Sequence, residues 1–142
     1  MKKLLILLLS VSFIAIACHK DPELPIDKFV KTFDGNYKEY TCDSIQAIKN
    51  IFEDYRIEFT KINDTKLNGK LIDDAGNKIF GFEAELNADD NSKIKISNFS
   101  YNSETLFGGG QISNNKLDLQ FATTSCPAGE NTYRVTREFQ EL

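Results

Sequence analysis

From residue 37 onwards, the chain consists mostly of short runs in which hydrophobic and polar residues alternate. A period of two places successive side chains on opposite faces of a β-strand. A sheet with one buried face and one solvent-exposed face is typical of antiparallel pairing. A shift of parity between Ile96 and Phe99 predicts a β-bulge. The alternation predicts about eight strands, over residues 37–42, 55–60, 67–71, 80–86, 94–101, 106–112, 117–121 and 133–139.

Polar turn sequences such as Asn63-Asp64-Thr65 and Asp74-Ala75-Gly76-Asn77 separate these runs. Because short connections pair sequence neighbours in space, we predict an all-β fold, an antiparallel up-and-down meander. Closure into a barrel would remove exposed edges, and the glycines at 108–110 fit a sharp bend in a barrel wall. A sandwich of two sheets is the competing fold.

Residues 44–54 allow two interpretations. Hydrophobic residues recur there at helical spacing, at Ile45, Ile48, Phe52 and Tyr55. A short helix with Asp43 or Ser44 as its N-cap is one interpretation. The other is a hairpin that turns at Lys49-Asn50, which we favour slightly because it keeps the meander continuous.

The first 17 residues have the pattern of an export signal. Two lysines precede an apolar run from Leu4 to Ile16, which is too short to span a membrane comfortably. Small residues then precede a cysteine in Ala15-Ile16-Ala17-Cys18. This segment resembles the lipobox of bacterial lipoproteins, although that family usually has Leu where Ala15 stands. The resemblance implies cleavage before Cys18, attachment of acyl chains such as palmitate to Cys18, and anchoring in the bacterial outer membrane.

A tether is predicted to follow the cysteine, because Pro22 and Pro25 lie among polar residues without hydrophobic periodicity. Lys20 followed by acidic residues resembles the surface-export signal of Bacteroidota lipoproteins, and a spacer in the periplasm is the alternative. One helical turn is predicted within residues 27–33. The predicted organisation is a signal peptide over 1–17, a lipidated tether over 18–30 and a single β-barrel domain over 31–142.

The charge of the mature chain limits its partners. Removal of residues 1–17 would leave 15 basic and 21 acidic residues, which moves the formal net charge from −4 to −6. An acidic domain has no sequence-independent attraction for phosphate backbones, so nucleic acid is not expected as a partner. An electrostatic hold on anionic lipid is not expected either. The membrane attachment is therefore assigned to lipid on Cys18.

The three cysteines are an odd number. If Cys18 carries lipid, Cys42 and Cys126 remain, and export brings them into an oxidising compartment. We therefore predict a disulfide between Cys42 and Cys126. Because the loop that it closes is long, the chain-entropy contribution is about 4 kcal/mol, at the upper end of the usual range.

The predicted strand order resembles the architecture of the lipocalins and related calycins. Gly35-Asn36-Tyr37 is similar to the Gly-x-Trp of lipocalins, and Arg137 lies where they have an Arg on the last strand that packs across the ring. The chain has no Trp, and the middle lipocalin motif is not visible. The resemblance covers residues 33–142 and implies structural roles for Gly35, Tyr37 and Arg137, with Arg137 packing against Tyr37 or Phe33. Small lipocalin-like lipoproteins of Bacteroidota are similar.

Residues that could carry catalysis are scarce. The only histidine, His19, lies in the tether, and Asp73-Asp74-Ala75-Gly76-Asn77 lacks the ligand series of a calcium loop. An enzyme is therefore the least expected class, and no metal or cofactor is predicted.

Two classes of function remain. The first is a barrel that binds a small apolar ligand inside, and the second is a surface interaction or scaffold lipoprotein with a packed barrel whose loops contact an envelope protein. We favour ligand binding, on the analogy of architecture. The side chains expected to line or fill the interior are aromatic: Phe59, Phe80, Phe82, Phe99, Tyr101, Phe107, Phe121 and Tyr133.

Overall fold

The computed structural model describes residues 23–40, 48–123 and 135–142. A short 3-10 helix over Asp27–Phe29 precedes the strands, which confirms the helical turn predicted there. The strands are β1 (Thr32–Tyr40), β2 (Ile48–Lys61), β3 (Lys66–Ile72), β4 (Lys78–Leu86), β5 (Lys93–Tyr101), β6 (Glu104–Ser113), β7 (Lys116–Thr123) and β8 (Val135–Glu141).

The eight strands form one closed antiparallel barrel in sequence order, and β8 pairs with β1. The predicted all-β, up-and-down meander is therefore confirmed, and the sandwich of two sheets is wrong. Closure gives each edge strand a partner, which removes the exposed edge that an open sheet would have. In the part of the chain that the structure describes, no helix has the length and apolar character needed to cross a membrane.

The tight turns use residues that tolerate a left-handed backbone. Asn102 and Ser103 between β5 and β6 have φ of 49° and 64°, and Asn114 and Asn115 between β6 and β7 have φ of 52° and 63°. Two successive residues with positive φ give a turn whose twist matches that of the flanking strands.

β2 corrects the predictions for residues 44–54. Lys49 and Asn50 lie inside β2, so they are not the turn of a hairpin, and residues 48–54 are strand rather than helix. The register of β1 on β2 shifts between Gly35↔Tyr55 and Tyr37↔Phe52, where Asp54 has a φ of 60°. This bulge places Phe52 and Tyr55 on the same side of the sheet although they are three residues apart, which explains the helical spacing.

One further prediction is corrected and another is confirmed. β1 begins at Thr32 and not at residue 37, so Asp34-Gly35-Asn36 lies within the strand. In β5 the register shifts between Ile96 and Phe99, which confirms the bulge predicted from the change of parity.

The 3-10 helix closes one end of the barrel, which we call the plug end. Ile26 and Phe29 are fully buried there, and the ring of Phe29 meets that of Phe59 edge-on at 6.4 Å. Lys61 at the end of β2 contacts Asp27 of the helix at 3.1 Å, and this hydrogen bond lowers the pKa of Asp27. Residues that the sequence assigned to the tether are thus part of the packed domain. The opposite end, with the turns at 73–77 and 102–103, is called the distal end.

Candidate ligand-binding site

The centre of the barrel is filled by aromatic rings. Phe80, Phe82, Phe99 and Phe121 each contact the other three, with ring centroids between 5.3 and 6.2 Å apart. Edge-to-face and tilted pairs at such distances are the preferred geometries of aromatic contacts. These four residues, with Phe59 and Tyr101, occupy the interior as the sequence predicted.

The other two aromatic predictions have different outcomes. Phe107 pairs with Ala122, whereas its neighbours Leu106 and Gly108 pair with Thr123 and Phe121. Because side chains alternate along a strand, Phe107 is on the outer face, and the prediction that it lines the interior is wrong. Tyr133 lies outside the described residues.

The three cysteines also lie outside the described residues. Lipidation of Cys18 and the pairing of Cys42 with Cys126 therefore remain predictions.

Inward-facing glycines make room for the rings. A Cβ at Gly69 would lie 2.5 Å from the ring of Phe82 and 2.9 Å from that of Phe59. A Cβ at Gly35 would lie 2.2 Å from the Gln140 carbonyl oxygen and 2.8 Å from the ring of Phe139, so the neighbouring backbone also fills this position. Aromatic side chains therefore occupy the volume that side chains at these positions would take, as close packing of protein interiors requires.

The wall of the barrel is incomplete between β4 and β5. Their ladder has three residue pairs, Ala84↔Ile96, Glu85↔Lys95 and Leu86↔Ile94, all near the plug end. Residues 78–83 of β4 and 97–101 of β5 have no partner across this boundary, although β4 pairs with β3 along its whole length. The unpaired part of β5 begins at its bulge, which turns the strand away from β4.

A cavity of about 380 Å³ lies at this boundary, and we call it the side opening. Phe82 and Phe99 provide its apolar wall, and Phe99 is half-buried whereas Phe82 is buried. The remaining lining is polar or small, from Asn68, Lys78, Gly81, Glu83, Ser97 and Asn98. The side opening therefore gives solvent access to one side of the aromatic centre.

Arg137 lies inside the barrel towards the distal end. Its guanidinium is 2.9 Å from the Glu104 carboxylate, 3.6 Å from that of Glu39 and 5.4 Å from the ring centre of Tyr101. Its Nε is buried and has no hydrogen-bond partner among the described residues, because 3.6 Å to Glu39 is too long. Arg137 and the Tyr37 hydroxyl both lie beside the Glu39 carboxylate, so the residues that the lipocalin resemblance paired are close to each other in the barrel.

Tyr37 and Arg137, towards the distal end, both have shifted pKa values. Burial raises the pKa of Tyr37 far above its ordinary value, against the attraction of Arg137. Burial opposes the charge of Arg137, but the Tyr37 phenol and the carboxylates of Glu104 and Glu39 outweigh it and raise the guanidinium pKa. One cation therefore faces two carboxylates here, an arrangement that disfavours a negatively charged ligand group at this end.

A second groove, of about 330 Å³, lies on the outer face of β5, β6 and β7. Gly109 faces outward in it, and the groove is lined mainly by polar side chains such as Lys93, Gln111 and Gln120. On the inner side, Gly108 and Gly110 allow β6 to approach the β7 backbone and Leu119 more closely than a Cβ would permit. The glycine run therefore serves the packing of the wall and leaves a polar notch outside.

The described residues contain no group of three His, Cys, Asp or Glu side chains that could hold a metal ion. The Asp73–Asn77 segment is a turn in which the Asp73 carboxylate accepts hydrogen bonds from the Asn77 backbone N–H at 2.6 Å and side-chain Nδ2 at 3.1 Å.

Comparison of the chain with protein-family models, curated proteins and solved structures finds no significant match. The barrel and its openings are therefore the basis of any functional inference.

Sequence reasoning missed Glu39 and Glu104 as partners of Arg137. Glu39 lies two residues after Tyr37, on the same side of β1, so the alternation contained the signal. The side opening had one visible sign, the change of parity after Ile96. Nothing in the alternation of β4, however, indicates that its pairing with β5 stops at Ala84.

Proposed function

We propose that this chain is a lipoprotein of the bacterial cell envelope, anchored in the outer membrane by lipid on Cys18, and that its lipocalin-like barrel binds a small apolar ligand at the side opening. The observation that carries the proposal is the cavity beside Phe82 and Phe99 where the β4–β5 ladder stops. A role in binding, without catalysis, is proposed.

The size of the cavity and the filled centre limit the ligand. A volume of about 380 Å³ is at the small end of ligand pockets, which span roughly 300–1,000 Å³. The four central rings contact one another, so a long chain could enter only by displacing them. A small ligand with an apolar face against Phe82 and Phe99 and a polar edge near Asn98 fits this site best.

The filled interior also favours a second candidate, a surface interaction or scaffold lipoprotein. In that case the barrel carries no ligand, and its outer surface and turns contact an envelope protein. The packed inward positions at Gly69 and Gly35 support this candidate, because they leave the centre without space for a ligand.

A matched pair of glycine substitutions tests the site. Gly81 faces outward into the side opening, and a Cβ there meets the flexible end of Lys78 at 2.9 Å and the Gly69 carbonyl oxygen at an ordinary contact distance of 3.4 Å, so Gly81→Leu fills the cavity without entering the core. Gly109→Leu makes the same change in the outer groove, where the nearest atom is the Ile94 carbonyl oxygen at 3.0 Å. The probe is N-phenyl-1-naphthylamine, a small neutral dye that fluoresces in apolar surroundings.

We expect the wild type and Gly109→Leu to bind the dye equally well and Gly81→Leu to bind it at least about tenfold more weakly, a difference of ~1.4 kcal/mol. Equal binding by all three proteins, or none by the wild type, would contradict a ligand site at the side opening. Native mass spectrometry after gentle detergent extraction separates the two candidates. A small bound mass supports ligand binding, and empty protein that co-purifies with a larger partner supports the scaffold.

The anchor has a separate test. Cells grown with radioactive palmitate should label the wild-type protein and leave Cys18→Ala unlabelled. Antibody binding to intact cells then distinguishes display on the surface from a position facing the periplasm. Equal labelling of both proteins would contradict lipidation at Cys18.

A further inference from the structure

Exposed hydrophobic side chains are concentrated at the plug end. Among the described residues, five large hydrophobic side chains are exposed, and four of these lie at this end. They are Leu24 (38%), Val30 (37%), Ile62 (51%) and Leu142 (67%). The fifth, Ile51 (54%), lies on β2 towards the distal end.

Contacts within the plug end bring these residues together. Leu24 and Val30 flank the 3-10 helix, and Lys61 joins that helix to the β2–β3 turn through 3.1 Å contacts to Asp27 and to Asp64. Ile62 therefore lies beside the helix. We call the surface formed by Leu24, Val30 and Ile62 the apolar rim.

The charge around the apolar rim differs from that of the whole domain. Residues 23–32 and 61–66 carry four lysines and three acidic residues, whereas the chain as a whole is acidic. The lysines are Lys28, Lys31, Lys61 and Lys66. The surface next to the apolar rim therefore has no acidic surplus, whereas the rest of the plug end adds Asp89, Asp90 and Glu141 against Lys93 and Lys116.

The covalent chain sets how far the apolar rim can lie from a lipid anchor. Glu23, the first described residue, is five residues after Cys18, a distance that a fully extended chain spans in at most about 18 Å. β2 alone has 14 residues, or roughly 46 Å of strand. Attachment through Cys18 would therefore hold the plug end, and not the distal end, near the bilayer.

From these observations we propose that the plug end docks on the lipid bilayer, with the apolar rim inserted at the level of the head groups and upper acyl chains. This inference rests on the proposed anchoring at Cys18. Three half-exposed side chains bind a membrane weakly when free, but the tether makes their contact intramolecular, so a weak interaction suffices. Docking in this way points the distal end, towards which the β4–β5 ladder is unpaired, away from the membrane.

The absence of Trp from the chain allows a sharp test. Ile62→Trp and Ile51→Trp each introduce a single Trp, at positions of nearly equal exposure near opposite ends of β2. The full lipidated proteins are reconstituted into phosphatidylcholine vesicles in which the acyl chains are brominated near the head group. Bromine quenches Trp fluorescence only at short range, so quenching measures contact with the bilayer.

We expect the Trp at position 62 to lose at least half of its fluorescence in brominated vesicles relative to unbrominated ones, and the Trp at position 51 to change little. Equal quenching at both positions, or none at 62, overturns the docking. A Trp at 62 that is shifted to shorter wavelength but not quenched indicates contact with a second copy of the chain and also overturns it. Sedimentation with the vesicles and palmitate labelling report the anchor separately, so loss of either contradicts the proposed anchoring itself.

Discussion

Two glycines on neighbouring strands face opposite sides of the barrel wall, one the packed interior and the other the side opening. Gly69 on β3 faces the interior, where the rings of Phe59 and Phe82 take up its space. Gly81 on β4 faces outward, and a Cβ there would come closest to the flexible side chain of Lys78. Substitutions at these two glycines therefore test whether the interior of the barrel is filled.

The substitution Gly69→Ala should destabilise the domain by about 1–3 kcal/mol, because its Cβ overlaps the rings of Phe59 and Phe82, which would have to shift. Gly81→Ala should be neutral or should stabilise by up to about 1 kcal/mol, since Gly is unfavourable in a strand. Urea unfolding followed by far-ultraviolet circular dichroism gives both values. A neutral Gly69→Ala would mean that the interior holds free volume.

Arg137 is expected to be coupled energetically to Glu104. Their contact is 2.9 Å long and the Arg137 side chain is 11% exposed, so a double-mutant cycle of Arg137→Met and Glu104→Gln should give about 1–2 kcal/mol. The exposed pair Lys93–Asp90, also at 2.9 Å, should give about 0–0.5 kcal/mol in the same cycle. A coupling at Arg137 no larger than that of the surface pair would show that the distal cluster contributes nothing specific.

The raised pKa of Tyr40 predicts that the free energy of unfolding decreases at alkaline pH. Burial and a hydrogen bond to Glu138 raise the pKa of Tyr40 to about 12, from roughly 10 in the unfolded chain. Because the folded pKa is the higher one, the contribution of Tyr40 is complete below pH ~10 and is lost as pH rises towards 12. Urea midpoints between pH 8 and 11.5 should fall less steeply for Tyr40→Phe than for the wild type; identical profiles would separate this ionisation from folding.

At the scale of elements, hydrophobic alternation predicted the barrel well because each strand has one buried and one exposed face. From Lys66 to Leu71 in β3 and from Lys116 to Phe121 in β7, buried positions alternate with more exposed ones as the sequence predicts. The failure at residues 44–54 occurs at a bulge, where the period of two is interrupted. Phe52 and Tyr55 face the same way because Asp54 has a left-handed backbone, and no local pattern distinguishes that from a helix.

The candidate site could be predicted only in part, for a related reason. The rings of Phe80, Phe82, Phe99 and Phe121 follow from parity, but the place where the β4–β5 ladder stops depends on the course of two strands relative to each other. Phe107 shows the converse error. Its aromatic character suggested the interior, whereas the register of β6 places it outside.

The 3-10 helix is expected to contribute strongly to stability despite its three residues. Phe29 is fully buried against Phe59, so Phe29→Ala should destabilise the domain by about 3–5 kcal/mol through loss of contacts and an unfilled cavity. The adjacent Val30 is 37% exposed, and Val30→Ala should change stability by no more than about 0.5 kcal/mol. If Phe29→Ala unfolds at the wild-type urea concentration, the helix is not a working plug.

Closure of the barrel depends on β8, which pairs with both β1 and β7. Cys42 follows the end of β1 by two residues, and Cys126 follows the end of β7 by three. The two strands that flank β8 both end at the distal end, a few residues before these cysteines in the sequence. This topology is compatible with the predicted disulfide, which would link the two halves of the closure.

The disulfide prediction is that the purified mature protein, with Cys18 lipidated, has no thiol that reacts with a maleimide in denaturant without reductant. Reduction should lower the free energy of unfolding by up to about 4 kcal/mol, since the bond would close a long loop in the unfolded chain. The Cys42→Ser/Cys126→Ser double variant should match the reduced wild type and should not respond to reductant. Two reactive thiols per chain in the unreduced wild type would contradict the pairing, and the barrel closure would then depend on β8 packing alone.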